Sequence, residues 1–322
     1  LEEIKKSMTE AAIFENRGQL RLSGRDARTL LQGLITADLD QLTVDHALYS
    51  ALLTAQGKFL FDFVISEDRA GAIVLETAGD RLADLERRLT LYRLRADVAI
   101  EPVDPPPAMA LLFGGDAAVV AGLPPERGAL RRLADLTLMV DPRLVELGVR
   151  AYGPAAALRA WLEGVGIGVG DPFAFERHRV ALAVPEAGVD LVVDKTIMLE
   201  AGLDQLGAVS FDKGCFVGQE LTARTRYRGL VKRRLVPVRL DGAKVEPGFA
   251  IMAGEREAGE IRSMAGDLAL AMLRLDRLGE PLAAGGGLVH PHPAPWQADL
   301  KQQLEAGGRP SEPGSEPHPD DQ

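Results

Sequence analysis

The segment Lys213-Gly214-Cys215-Phe216-Val217-Gly218-Gln219-Glu220 holds the residues whose types and spacing point most directly to chemistry. Cys215 is the single cysteine of the chain. No disulfide can form within the chain, no all-cysteine metal site can be built from it alone, and any thiol chemistry falls on one sulfur. Gly214 and Gly218 flank it, and glycine permits a positive φ or a close backbone approach. Gln219-Glu220-Leu221-Thr222-Ala223-Arg224 reads as a helix start. A thiol near a helix N-terminus and beside Lys213 is expected to favour its thiolate. Two readings stay open: a reactive or cluster-handling thiol, or a buried cysteine whose glycines serve a tight turn, since free cysteine is a common core residue.

Next to this segment runs a basic stretch, Arg224, Arg226, Arg228, Lys232, Arg233 and Arg234, interleaved with Tyr227. It suits an anion, such as the carboxylates of a glutamate tail, a phosphate or RNA. It suits equally a solvated helix face followed by an edge-strand guard. Asp62 stands inside an apolar strand, Phe59-Leu60-Phe61-Asp62-Phe63-Val64-Ile65, with Leu60, Asp62 and Val64 predicted on one face. A carboxylate there must find a partner or protonate; it either holds a ligand N–H or makes a structural hydrogen bond. The five histidines show no zinc spacing, and no metal site is expected. Walker, dinucleotide-binding and serine-hydrolase motifs are absent.

These residues need a scaffold. Strands are predicted at 19–22, 48–53, 59–65, 72–76 and 96–100, with Ala55-Gln56-Gly57 as a hairpin turn. Ser23 is placed as the cap of a helix carrying Leu30, Leu31 and Leu34. Residues 80–93 have the helical spacing Leu82, Leu85, Leu89, Tyr92. After a Pro-rich link at 102–107, strands are predicted at 110–113, 136–140 and 149–152, and helices at 154–164 and 171–179. Beyond Arg234, short apolar runs separated by Gly or Asp read as a small all-β barrel or sandwich. The fold class expected is therefore α+β, with residues 8–234 forming two subdomains split near 102–107, 235–295 a barrel, and 296–322 a largely disordered tail.

The chain has 322 residues, 46% hydrophobic, with a net charge of −10. That balance argues against general nucleic-acid binding. No apolar run approaches the roughly 18 residues of a membrane span. Residues 1–10, LEEIKKSMTE, carry neither a secretory signal nor a transit-peptide pattern, and Met8 is a candidate start. A lone cysteine fits a reducing compartment, so a cytoplasmic location is expected.

The block FDKGCFVGQELTARTRYRGLVKRR, Phe211 to Arg234, resembles the signature of YgfZ-type proteins, whose fold is similar to the T-protein (aminomethyltransferase) of glycine cleavage. The family signature Lys-Gly-Cys-aromatic-x-Gly-Gln-Glu is complete here. Likeness extends over roughly residues 10 to 280, through LSGRDARTLLQGLITADL (22–39), YSALLTAQGKFLFDFVI (49–65), LYRLRADVAI (91–100), RVALAVPEAGVD (179–190) and LEAGLDQLGAVSFDKGC (199–215). The resemblance implies two α+β subdomains around a central opening, a C-terminal β-barrel against them, and tetrahydrofolate in the opening. It implies that Asp62, Lys213, Gly214, Cys215, Gly218, Gln219, Glu220, Arg224 and Arg228 line or shape the site, with Gly229 closing it.

Two departures matter. The T-protein's Asp-Asp pair reads Phe61-Asp62 here. Its pterin-anchoring glutamate, in an Arg-hydrophobic-Glu-Ala-Gly stretch, is replaced by Ala181 in Arg179-Val180-Ala181-Leu182-Ala183. Lost hydrogen bonds to a buried charge cost about 1.5–3 kcal/mol each, which weakens pterin binding. The resemblance therefore favours an accessory factor for assembly or repair of [4Fe–4S] proteins, folate-linked and acting through Cys215, with iron–sulfur carrier or client proteins as partners, a transient cluster on the thiol, and an indirect effect on tRNA modification. The alternative is a folate-dependent one-carbon transferase in which Asp62 orients the folate amine. An RNA-binding use of 224–234 is the third reading.

Overall fold

The computed structural model describes residues 8–305. The chain opens with β1 (Glu10–Phe14) and then builds a first sheet from β2 (Arg17–Ser23), β3 (Leu48–Leu53), β4 (Phe59–Glu67), β5 (Ile73–Ala78) and β6 (Ala99–Pro102), in the order β3-β4-β5-β2-β6. Every pairing is antiparallel. Helices α1 (Ala27–Gln32) and α2 (Leu82–Arg93) lie on one face of it, burying Leu31, Leu85 and Leu89 against Phe61, Phe63 and Ile65. Full burial of each leucine stabilises by about 1.5–3 kcal/mol.

A second antiparallel sheet takes β7 (Ala108–Phe113), β8 (Leu130–Leu133), β9 (Leu136–Val140) and β10 (Val149–Gly153), and it recruits β1 at its edge: β1-β7-β10-β9-β8. Helices α3 (Ala117–Val120) and α4 (Ala155–Gly164) cover its outer face through Ala117, Leu158 and Leu162. The two sheets face each other across a core that includes Tyr49, Val64, Met109, Leu111 and Tyr152. The layers thus run helix, sheet, sheet, helix, an α+β arrangement.

Helix α5 (Pro172–Ala181) follows, opened by Asp171, whose side chain accepts from Phe173 N at 2.9 Å. An irregular stretch fills the core with Leu182, Leu191, Met198 and Leu203 and leads to α6 (Gln219–Tyr227). Six strands then close a barrel in the order β11-β14-β13-β12-β15-β16: β11 (Arg233–Asp241), β12 (Ala250–Ala253), β13 (Arg256–Ala265), β14 (Leu268–Arg274), β15 (Leu282–Ala284) and β16 (Gly287–Pro291). Arg179 is buried and ties α5 to its surroundings, bonding Asp190 at 2.6 Å, Val184 O at 2.7 Å and Ser263 Oγ of the barrel at 3.4 Å.

Three expectations are corrected. Ser23 ends β2 instead of capping a helix; the helix begins at Ala27, after Asp26, with no side-chain cap. The strand expected at 96–100 lies at 99–102, because Ala96–Val98 form the turn out of α2. In β4 a bulge opposite Leu52 and Leu53 skips Leu60, so Leu60 joins Phe61 and Phe63 on the helix-facing side while Phe59 joins Val64 in the core between the sheets. The first part of the tail, 296–305, packs against the body. Helix α7 (Ala298–Glu305) buries Leu300, Trp296 Nε1 donates to Leu182 O at 2.7 Å, and Gln297 Nε2 donates to Leu235 O at 2.7 Å. The expectation for 306–322 lies outside the described residues. No helix among the described residues is long and apolar enough to cross a membrane.

Candidate functional site

Cys215 sits on a two-residue projection held at both ends. Lys213 and Phe216 turn inward and are buried, while Gly214 and Cys215 between them are exposed. The Phe216 ring joins the core between the sheets. The Lys213 ammonium donates to Ile35 O at 2.9 Å and Ala37 O at 2.6 Å. Burial pushes it down to about 8, against the opposing pull of Asp38 and Asp40. Between those two carbonyls, Thr36 Oγ1 donates to Ala208 O at 2.6 Å, and Ser210 N donates to Thr36 O at 2.9 Å. Lys213 is therefore a clamp between the 35–37 and 208–213 segments. Its ammonium is bonded to two carbonyl oxygens.

The two glycines differ. Gly218 has φ +84°, and a Cβ there would lie 2.6 Å from Thr54 O and 3.1 Å from the Gly57 Cα. It pins the start of α6 onto the β3–β4 hairpin turn, a close approach that only glycine allows. Gly214 is not left-handed, and a Cβ there meets nothing within 4 Å. A left-handed, closely packed glycine is thus required at 218 and not at 214. Gln219 Oε1 accepts from Phe216 N at 3.4 Å and steadies the projection. Glu220 pairs with Arg224 at 2.6 Å on the exposed face of α6, a surface pair that contributes only a few tenths of a kcal/mol. Arg228 and Gly229 follow the helix and are exposed. A cavity of about 380 Å³ adjoins the projection, lined in part by Asp38, Ser210, Asp212, Arg226 and Tyr227.

Asp62 lies elsewhere, in a charged network at the heart of the two-sheet body. Tyr49 Oη donates to Asp62 Oδ2 at 2.8 Å, so its partner is a tyrosine hydroxyl. Arg17 pairs with Glu76 and, at 3.1 Å, with Glu186. Arg150 pairs with Glu76 at 3.0 Å and Asp141 at 2.6 Å; Arg143 completes Asp141 at 2.9 Å; Tyr152 Oη donates to Glu76 Oε2 at 3.0 Å. Burial pushes the Asp62 carboxyl up, helped by the charge of Glu186 and opposed by Tyr49 and Arg143. Burial also acts on Asp141, but Arg143 and Arg150 outweigh it and hold that carboxyl well below its usual range. Among Arg17, Tyr49, Asp62, Arg143, Arg150 and Glu186, about 10 Å³ is open to the centre of a water-sized sphere, enough to hold about one water.

The expected single site is therefore two places. Asp62 borders the central space, and Lys213, Gly214, Cys215, Gly218, Gln219, Glu220, Arg224 and Arg228 do not. Ala181 at the end of α5 offers no carboxylate to hold a pterin ring. Arg17, Glu76, Asp141, Arg143, Arg150 and Glu186 were not singled out from the sequence. The signal that marked Asp62 was available for Glu76 and Arg150 as well, since each is a charge inside an apolar strand. Among the described residues, no group of three His, Cys, Asp or Glu side chains is placed to hold a metal ion.

Comparison with known proteins places these features. Residues 232–299 match the family model of the CAF17 C-terminal β-barrel domain. The human mitochondrial iron–sulfur cluster assembly factor IBA57 is 31% identical over 290 residues, covering 84% of this chain and 78% of that protein. Its mouse counterpart is 30% identical over 293 residues with the same shares. The crystal structure of glycine cleavage system aminomethyltransferase T from Bartonella henselae superposes with a TM-score of 0.76 over 91% of this chain and 88% of that one, at 16% identity, which shows a common fold. The chain therefore has an aminomethyltransferase-T-like fold with a CAF17-type C-terminal barrel. Within that class, the chain belongs to the IBA57 family of iron–sulfur cluster assembly factors.

Proposed function

We propose that this chain assists assembly of [4Fe–4S] proteins by presenting the Cys215 thiol as a transient ligand to a cluster in passage between proteins. The observation that carries the reading is the Gly214-Cys215 projection, the only cysteine of the chain, exposed between two buried anchors. A thiol binds iron as its thiolate, so ligation releases one proton to solvent. Clusters take about four cysteine ligands, so the rest come from an iron–sulfur carrier, a client protein or glutathione. The role that the human and mouse relatives carry in their names supports it. Any effect on tRNA modification is indirect, through radical enzymes that need such clusters.

No folate step enters this reading. The alanine at 181 supports an assembly role without a resident pterin, and the Tyr49 hydroxyl already bonded to Asp62 weighs against aminomethyl transfer through that carboxylate.

The test is complementation. Cells lacking this protein receive either the wild-type chain or Cys215→Ser, and the activities of several [4Fe–4S] enzymes are measured at equal protein abundance. Wild type restores them and Cys215→Ser does not; full restoration by the serine variant removes the thiol from the mechanism.

A further inference from the structure

Helix α2 carries a second stripe besides the one it buries. Leu82, Leu85, Leu89 and Tyr92 pack toward the first sheet. Arg81, which ends the turn leading into the helix, and Asp84, Arg87, Arg88 and Leu91 recur at the same helical spacing on an adjoining side. Across from them stand Leu60 and Phe61 of β4 and Val193 of the irregular stretch. The two sides border a cavity of about 260 Å³. It shares no lining residue with the Cys215 projection or with the central charged network.

The charges around this cavity do not cancel. Three arginines line it against one aspartate, in a chain whose net charge is −10. Asp84 is taken by Arg87, and no carboxylate among the described residues pairs with Arg81 or Arg88. Arg81 is held in place: its guanidinium lies 4.6 Å from the centre of the Phe61 ring, one of its N–H groups donates to Leu60 O at 3.1 Å, and its Nε is buried with no protein partner. A guanidinium drawn part-way out of water with no counter-charge is costly, and an anion relieves that cost. Arg88 is half-buried, with its planar donors available to the same anion. The rest of the lining is apolar. Leu60 and Phe61 form a buried floor, and Leu91 stands at the rim, 68% exposed.

We propose that this cavity binds a small organic anion, with a carboxylate or phosphate head held by Arg81 and Arg88 and an apolar body against Phe61, Val193 and Leu91. The lining asks for both parts. A bare phosphate leaves Leu91 in water, and a neutral apolar molecule leaves Arg81 without a counter-charge. A nucleic-acid strand takes a run of cations along a groove, whereas here two unpaired ones converge on a single cavity. Nothing in the site depends on Cys215, so the binding stands or falls separately from the cluster role.

The probes are octanoate and octyl phosphate, kept below the concentrations at which they form micelles and titrated calorimetrically into the full-length chain. 1-Octanol supplies the body without the charge, and inorganic phosphate the charge without the body. At least one of the two acids binds about tenfold more tightly than either comparator, and the tighter acid identifies the head. Arg88→Gln weakens that acid by about tenfold and leaves octanol unaffected, a split that a merely misfolded cavity would not produce. Leu91→Ser weakens acid and octanol alike, by about threefold. Arg159→Gln on α4 and Cys215→Ser change neither, with circular dichroism confirming the fold of each variant. Octanol binding as tightly as both acids, an Arg88→Gln variant of full affinity, or binding to vesicles of anionic phospholipid with none to either monomeric acid overturns the inference.

Discussion

Gly57 and Gly218 meet backbone to backbone: a Cβ built on Gly218 would lie 3.1 Å from the Gly57 Cα, and both residues hold positive φ, +69° and +84°. The hairpin turn between β3 and β4 is thereby the seat on which the Cys215 projection and α6 are set.

Gly218→Ala accordingly strains the backbone and drives a methyl into Thr54 O, 2.6 Å away. It lowers unfolding free energy by about 1–3 kcal/mol, whereas Gly214→Ala changes it by less than about 0.5 kcal/mol. Paired urea melts decide the point, and equal midpoints for the two variants would refute the contact.

Lys213→Met leaves the buried carbonyls of Ile35 and Ala37 without their donor and costs about 1–3 kcal/mol at pH 7. The pH dependence has a definite sign. With Lys213 at about 8 in the folded state and near 10.4 when unfolded, the unfolded chain holds more protons across that window. Wild-type stability therefore rises relative to Lys213→Met from pH 8 to pH 10. A difference curve that is flat or falling would show the ammonium is not desolvated.

Arg150→Met removes the shared partner of Glu76 and Asp141 at the centre of the body. Stripping one member from a buried ion-pair network costs about 3–5 kcal/mol, read as a lowered guanidinium midpoint. A loss below about 1 kcal/mol would mean that water already reaches those carboxylates.

Asp62→Asn keeps the Tyr49 hydroxyl bond and removes a charge that burial disfavours. The variant is at least as stable as wild type at pH 7. Its advantage shrinks as the pH falls, because the folded protein takes up the Asp62 proton above the unfolded carboxylate range of about 3.9. It also supports iron–sulfur enzyme activities normally. Lost activity at unchanged stability would return Asp62 to a chemical role.

Much of this was legible from local pattern. Leu82, Leu85, Leu89 and Tyr92 gave α2 through their spacing, Ala55-Gln56-Gly57 gave the β3–β4 turn, and the apolar runs after Arg234 gave the barrel. What was not legible depends on distant partners. Leu60 changes face because of a bulge against Leu52 and Leu53, which alternation cannot foresee. Lys213 stands beside Cys215 in sequence, yet its ammonium is spoken for by Ile35 and Ala37, far away along the chain. Tyr49 and Asp62 were both within reach of pattern reading, but the Arg17, Glu76, Arg150 and Glu186 charges that crowd their neighbourhood come from four separate segments.

The placement of β1 imposes a timetable on synthesis. Ala12 pairs with Leu111, so the N-terminal strand leaves the ribosome about a hundred residues ahead of the strand that completes it. At translation speeds of about 5–20 residues per second, that edge waits some 5–20 s while the entire first sheet forms beside it. Nascent chains halted before residue 108 would carry Glu10–Phe14 as a free template for misassociation, and a chaperone that shields it would be needed most in that interval.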